Sequence, residues 1–265
     1  MPAVRDKVVV ITGASSGIGA ALARRVGVLG GRPILAARRE RELGEVAAQS
    51  GLQAFSVVAD VTRREDVQRI FDRAVGRFGQ IDVWVNNAGR GITRPVSQLS
   101  DGDVDEMLQV NLKSALYGMQ VVVPHFQARE RGHIINVSSM LGRLAFVPAR
   151  SAYSAAKHAL NALTVSLRLE LHDRYPEIHV STVSAGVVAT DFGLRALGGG
   201  PDSHTLPMAQ PPEEVAEVIV GLIERPRADV YTRPAMQQWV VDYYAAEDMA
   251  AAESRPPFAR GPARP

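Results

Sequence analysis

Val8-Val9-Val10-Ile11-Thr12-Gly13-Ala14-Ser15-Ser16-Gly17-Ile18-Gly19 opens on a β-branched run, breaks into a glycine-rich turn and continues as a helical pattern to Leu29. Strand, turn and helix in that order give each glycine a use. One permits the tight turn, one lets backbone approach a pyrophosphate, and one allows close helix packing, while the helix N-terminus offers free N–H donors and a positive dipole end. Three glycines alone are a weak signal. With both flanking elements the segment predicts a dinucleotide site, its phosphate-side candidates being Gly13, Ser15, Ser16, Gly17, Ile18 and Gly19.

Further along, short apolar runs at Val8 to Thr12, Pro33 to Ala37, Ala54 to Ala59, Ile81 to Val85, His133 to Val137 and Ile178 to Val183 alternate with helical patterns. Those patterns cover Gly17 to Leu29, Arg41 to Gln49, Arg64 to Phe78, Asp103 to Ala128 and Ser151 to Arg174. Alternation of this kind implies right-handed βαβ units. The near-continuous Val, Ile and Leu of the strands fits helices on both faces. The expected fold is α/β, a doubly wound, mostly parallel sheet of the Rossmann type.

With 265 residues and 46% hydrophobic content, the chain can bury one large core, and a single domain over residues 1–250 is expected. Thirty basic against 28 acidic side chains leave a formal charge of +2, which gives no stripe for nucleic-acid phosphates. There is no cysteine, so thiol chemistry and thiolate metal sites are out, and the histidines show no ligand grouping; no metal is expected. The first residues lack the features of a secretory signal. No apolar run approaches the roughly 18 residues that cross a bilayer. A soluble, cytoplasmic protein without a membrane partner is expected.

The second strand ends Ala36-Ala37-Arg38-Arg39, with nothing acidic to hold a ribose 2′-hydroxyl. Guanidinium groups there suit a 2′-phosphate, so NADP(H) is the preferred cofactor, with NAD(H) possible, and Arg38 the first candidate ahead of Arg39. The two arginines could instead simply start a solvated helix with Glu40 and Glu42.

Tyr153 and Lys157 stand four apart in a helical segment and so share a face. A phenol titrates near 10, and each unit of lowering needs about 1.4 kcal/mol, part of which a nearby ammonium supplies. Such a pair alone usually decorates a helix surface; its context here does not. The strand from His133 ends in Ser138-Ser139, the strand from Ile81 runs into Asn86-Asn87-Ala88-Gly89, and Asn111 is a polar residue within an apolar helix.

Taken together, TGASSGIG at 12–19, Asp60-Val61, NNAG at 86–89, Asn111, NVSS at 136–139 and YSAAK at 153–157 resemble the short-chain dehydrogenase/reductase family in its compact form. The resemblance spans about residues 5–232. It implies a catalytic tetrad: Tyr153 as general acid/base, Lys157 as its pKa modifier and ribose contact, Asn111 as holder of a proton-relay water, and Ser139 as the group that orients the carbonyl, with Ser138 the alternative. It also implies Asp60 and Val61 at the adenine, Asn87, Ala88 and Gly89 along the adenosine side and ribose, and Gly186, Val188 and Thr190 by the nicotinamide. Hydride transfer to a small carbonyl or alcohol substrate is expected, in a homodimer or homotetramer. Ala185 stands where the family usually has Pro, which leaves the nicotinamide-side turn less restrained. Competing readings are a non-catalytic NADP(H)-binding sensor or scaffold on the same fold, and an epimerase or dehydratase using the same pair.

Residues 190–212, with Gly198-Gly199-Gly200-Pro201 and several large apolar side chains, read as a substrate lid. Gln238 to Met249 is amphipathic, with the domain, a partner subunit or a membrane surface as possible supports. Residues 251–265, rich in Pro, Arg and Ala, read as a disordered tail.

Overall fold

The computed structural model describes residues 4–258. Strands β1 (Val8–Thr12), β2 (Arg32–Ala37), β3 (Phe55–Val58), β4 (Val83–Asn86), β5 (Gly132–Ser139), β6 (Ile178–Ala185) and β7 (Asp229–Tyr231) form one sheet in the order β3-β2-β1-β4-β5-β6-β7. Every pairing is parallel, so each connection must cross back over a face of the sheet. The crossovers are α1 (Gly17–Val28), α2 (Glu40–Ala48), α3 (Arg64–Phe78), α4 (Asp101–Leu108) with α5 (Ser114–Arg129), α6 (Ser151–His172) and α7 (Pro212–Glu224). Two helices follow, α8 (Ala235–Tyr244) and α9 (Met249–Glu253).

Strand alternation divides the apolar residues between two cores. In β1, Val9 and Ile11 join Leu22 and Val26 of α1 and Val215 and Ile219 of α7. Val8 and Val10 point the other way, to Ile70 of α3, Phe126 of α5 and Leu160 of α6. Strand order reverses between β1 and β4, where crossovers leave to opposite sides and open a crevice at the carboxyl strand ends. Thr12, Asn86, Ser139 and Ala185 all end strands at that edge.

Several elements differ from the sequence reading. The helix expected over Asp103 to Ala128 is three pieces: α4, started by a Ser100–Asp103 capping box, a π turn at Gln109–Lys113, and α5. Strand β7 has three residues, too few for a pattern, and is fixed by its register with Thr182, Val183 and Ser184. In the C-terminal amphipathic segment, Trp239, Val240 and Tyr243 pack on Met140, Leu144 and Met236 of the same chain. The tail read as disordered from 251 is instead packed as far as Phe258, whose ring stacks on Tyr243 at 4.8 Å between centroids. One aromatic residue in a Pro- and Ala-rich context supplies that anchor; residues 259–265 lie outside the described residues.

Candidate active site

The glycine turn is tied to the end of β4. Thr12 Oγ1 accepts from the backbone N–H groups of Asn87 and Ala88 at 3.0 and 3.1 Å, and Asn87 Nδ2 donates to Thr12 O at 2.8 Å. A Cβ on Gly13, at φ +68°, would stand 2.8 Å from Ala88 Cα, so only glycine fits. Gly17, at φ +55°, faces Thr190, whose Cγ2 would lie 3.0 Å from a Cβ. Gly19 packs against the turn, where a Cβ would come 2.6 Å from Gly13 O. Ser16 is the N-cap of α1, yet no side chain caps that helix, leaving its first N–H groups for an anion. Ile18 packs on the α1 side of the sheet.

Arg39 reaches back over this turn: its Nη2 donates to Ser15 Oγ at 2.8 Å and to Ser16 Oγ at 2.7 Å. Arg38 points outward, 69% exposed, with Nη1 3.8 Å from Asp60 Oδ2. The sequence put Arg38 first; the structure brings Arg39 to the turn, because Arg39 is the extended N-cap of α2 and its side chain folds back toward β1. Burial, then Arg195 across the crevice, holds the Arg39 guanidinium below its ordinary pKa, an environment that favours an added negative charge. Asp60 caps its own turn, its Oδ1 accepting from Thr62 N and Oγ1 at 3.0 and 2.8 Å, and Val61 packs into the α3-side core.

On the other side of the crevice, α6 brings Tyr153 and Lys157 to Ser139 at the end of β5 and Asn111 in the π turn. Gly89 lies between two of them: a Cβ there would be 3.0 Å from Asn111 Oδ1 and 3.8 Å from Lys157 Nζ. Lys157 Nζ donates to Val137 O at 2.9 Å and sits 5.8 Å from the centre of the Tyr153 ring. Burial lowers the lysine pKa to about 8. Burial raises that of Tyr153, opposed by the Ser139 hydroxyl and the Arg150 guanidinium. Burial thus pushes both the phenol and the ammonium toward their neutral forms, and perturbed titratable pairs of this kind mark a candidate acid/base site. Asn111 is held by the backbone of Arg90, donating to its O at 2.9 Å and accepting from its N at 3.1 Å. Ser139 Oγ accepts from Leu141 N at 3.1 Å, while Ser138 points to the opposite face against Gly142, its buried Oγ without a partner among the described residues.

Gly186 N and Gln210 Nε2 both donate to Thr232 Oγ1, at 3.3 and 2.6 Å, so a distant threonine and glutamine restrain the turn after Ala185. Val188 bridges to Gln210, and Thr190 Oγ1 accepts from Phe192 N at 3.3 Å. Phe192 then meets the Tyr153 ring edge-on at 5.5 Å and joins Ile92, Met107, Leu141 and Leu197 in an apolar wall. The segment read as a lid lies against residues 91–93, with Leu197 N on Gly91 O and Thr93 N on Leu197 O, both at 2.8 Å. Gln210 and Thr232 escaped the sequence reading, and so did the contact of Thr12 with the end of β4, because each role depends on a partner remote in the chain.

The comparisons with known proteins follow the same geometry. The family model for short chain dehydrogenases matches residues 7–196. An uncharacterized oxidoreductase of Bacillus subtilis is 37% identical over 86% of this chain, which spans 65% of that relative's length. One of Listeria monocytogenes is 32% identical over 89% of this chain and 99% of its own. Among solved structures, a short chain dehydrogenase/reductase from Burkholderia phymatum in complex with NAD superposes with a TM-score of 0.84 at 26% identity, covering 100% of this chain and 99% of that one. An alcohol dehydrogenase from Thermococcus sibiricus complexed with 5-hydroxy-NADP gives 0.74 at 28% identity, covering 87% and 97%. Motifs, sheet order and relatives agree: this chain belongs to the short-chain dehydrogenase/reductase family of oxidoreductases.

Proposed function

We propose that this chain transfers hydride between NADP(H) and a carbonyl or secondary alcohol, with Tyr153 as general acid/base. One observation carries the reading: Asn111, Ser139, Tyr153 and Lys157, from three separate elements, converge at the strand ends beside the glycine turn. The turn suits a dinucleotide, since Gly13 and Gly17 leave no Cβ in the way and the start of α1 carries no side-chain cap. When bound, the nicotinamide supplies or accepts the hydride.

The protein's own groups do the rest. Ser139 Oγ hydrogen-bonds the substrate oxygen and orients the carbonyl. Tyr153 Oη delivers its proton to that oxygen during reduction and takes it back during oxidation. The Lys157 ammonium favours the phenolate, offsetting the cost of burying it. Asn111 widens its helix at the π turn and anchors the relay that returns a proton to Lys157. Positioning accounts for much of the rate, and proton transfer typically adds about 10²- to 10⁴-fold. Arg39, with Ser15 and Ser16, reads the 2′-phosphate where Ala37 leaves no acid to read a hydroxyl. Support for a phosphorylated cofactor also comes from the Thermococcus enzyme with its NADP derivative, while the Burkholderia enzyme holds NAD. Exposed Val165 and Leu169 on α6 give a face for pairing with a second copy.

Titration with NADPH and NADH, followed by absorbance assays against ketones, aldehydes and alcohols, tests the reading. Tighter NADPH binding and carbonyl-dependent NADPH oxidation are expected. A preference for NADH overturns the Arg39 assignment, and binding without turnover of any carbonyl overturns hydride transfer in favour of a sensor.

A further inference from the structure

Arg150 stands three residues before Tyr153, as the N-cap of α6, and its half-buried guanidinium lies within electrostatic reach of the Tyr153 phenol. Its Nη1 donates to Ile92 O at 3.1 Å, and a Cβ on Gly91 would meet both that Nη1, at 2.8 Å, and the edge of Phe192, at 2.9 Å. Phe192 in turn packs on Tyr153, so the cation and the phenol border one space. Neighbouring arginines are neutralised by acids: Arg90 by Glu106, Arg94 by Asp103 and Arg195 by Asp191. Arg150 has no carboxylate partner among the described residues, and burial lowers its pKa.

A second unpaired group faces the same place. Thr93 Oγ1 is buried with no hydrogen-bond partner, and a Cβ on Gly200 would lie 3.0 Å from it and 3.1 Å from Arg150 Nη2. The glycine backbone of the lid segment therefore covers a hydroxyl and a guanidinium nitrogen that have no hydrogen-bond partner among the described residues. A half-buried cation without a counter-charge is costly, and a charge-assisted pair with an anion relieves that cost.

We infer that Arg150, assisted by Thr93, is the anion-recognising group of the substrate site, and that the substrate carries a carboxylate beside its reacting carbonyl or alcohol. The inference rests on the tetrad reading above. One Arg150 nitrogen is committed to Ile92 O, which leaves Nη2, Nε and one hydroxyl, a set matched to the two coplanar oxygens of a carboxylate. The wall of Ile92, Met107, Leu141 and Phe192 takes the intervening carbon chain. The substrate class is a short oxo acid or hydroxy acid rather than a neutral ketone.

The test compares 2-oxopentanoate, 4-oxopentanoate and 3-hydroxybutyrate, each beside its methyl ester, as substrates of the full chain with NADP(H). The same pairs are scored for binding to the protein–NADP⁺ complex by thermal shift. Wild type should favour acid over ester in kcat/KM, and Arg150→Gln should shrink that acid-to-ester ratio by about 10- to 100-fold, the range of a hydrogen bond to a charged group. Arg150→Lys should restore part of it. In Tyr153→Phe, acid-selective binding should persist without turnover, which separates a failure of this inference from a failure of the acid/base assignment. Equal handling of acids and esters by wild type across the panel overturns the proposal. So does an acid-to-ester ratio unchanged in Arg150→Gln, since a purely structural arginine scales both substrates alike.

Discussion

Lys157 holds a cation in a place that water barely reaches, 3% exposed, and this has a cost as well as a use. Its pKa of about 8 lies below the ordinary 10.5. Between those values the unfolded chain holds a proton that the folded chain has shed, so through this group stability rises with pH across that window. Below pH 8 the folded protein carries the full penalty, about 3 kcal/mol at 1.36 kcal/mol per unit. Lys157→Met should therefore raise the melting temperature of the nucleotide-free protein at pH 7, by an equivalent of about 0.5–2 kcal/mol after loss of the bond to Val137 O, while removing turnover. Calorimetry at pH 7 checks it; a lower melting temperature contradicts it. Arg38 and Arg39 give a second contrast. Arg39→Gln should weaken NADPH binding about 10- to 100-fold and leave NADH nearly unaffected, whereas Arg38→Gln should change either affinity by less than about threefold, as for an exposed charge. Equal losses for both nucleotides in Arg39→Gln would show that Arg39 only braces the turn. The sequence showed that an arginine follows β2 but not which, because the choice depends on the backbone angle at the start of α2.

At the scale of elements, α5 and α6 are fixed to the sheet by a buried polar chain that runs through the first asparagine of each of the two motifs at 86–89 and 136–139. Trp84 Nε1 donates to Asn86 Oδ1, Asn86 Nδ2 to Asn136 Oδ1, and Asn136 Nδ2 to Thr164 Oγ1, at 2.8, 2.8 and 2.9 Å. The chain runs from β4 through β5 to α6, two turns beyond Lys157, and so sets the depth of the helix that carries Tyr153 and Lys157. Gly118 of α5 lies over it, and a Cβ there would meet Asn86 Oδ1 at 2.2 Å and Trp84 Nε1 at 2.4 Å. Gly118→Ala should destabilise by about 1–3 kcal/mol despite the better helix propensity of alanine, because the atoms it meets are locked in the polar chain. Gly44 in α2 and Gly76 in α3 have nothing within 4 Å, and Ala at either should stabilise by about 0.5–1 kcal/mol. Denaturant midpoints of the three variants decide the matter; the same sign at all three would contradict this packing. Helices α1, α3 and α6 were legible because amphipathic spacing is local. The π turn at Asn111 was not, since an inserted residue leaves the surrounding apolar pattern intact.

For the molecule as a whole, a buried histidine at the end of the sheet away from the crevice contributes to acid sensitivity. His133 on β5 is 4% exposed; burial, with smaller effects of His179 and Lys7, lowers its pKa to about 3. Its Nε2 shares a 2.8 Å hydrogen bond with Ser181 Oγ. The unfolded chain takes up a proton near the ordinary 6.5 and the folded chain does not until about 3, so stability is lost as pH falls through that interval. The slope from this one group reaches about 1.4 kcal/mol per pH unit. His133→Asn should flatten the decline of melting temperature between pH 6.5 and 5, and an unchanged slope would contradict the assignment. The doubly wound sheet was readable as far as β6, because strands buried on both faces write themselves as unbroken apolar runs, and Asn111, Ser139, Tyr153 and Lys157 could be singled out as candidates because their spacing is specific. The apolar wall, the Thr232–Gln210 restraint and the environment of Arg150 were not, since each is created by segments far apart in sequence meeting in space. The most direct test of the whole account is NADPH oxidation by wild type and Tyr153→Phe against the same carbonyl panel, with NADPH affinity measured in parallel. The account predicts a loss of about 10²-fold or more in turnover with affinity changed by less than about threefold; normal turnover by Tyr153→Phe would contradict it.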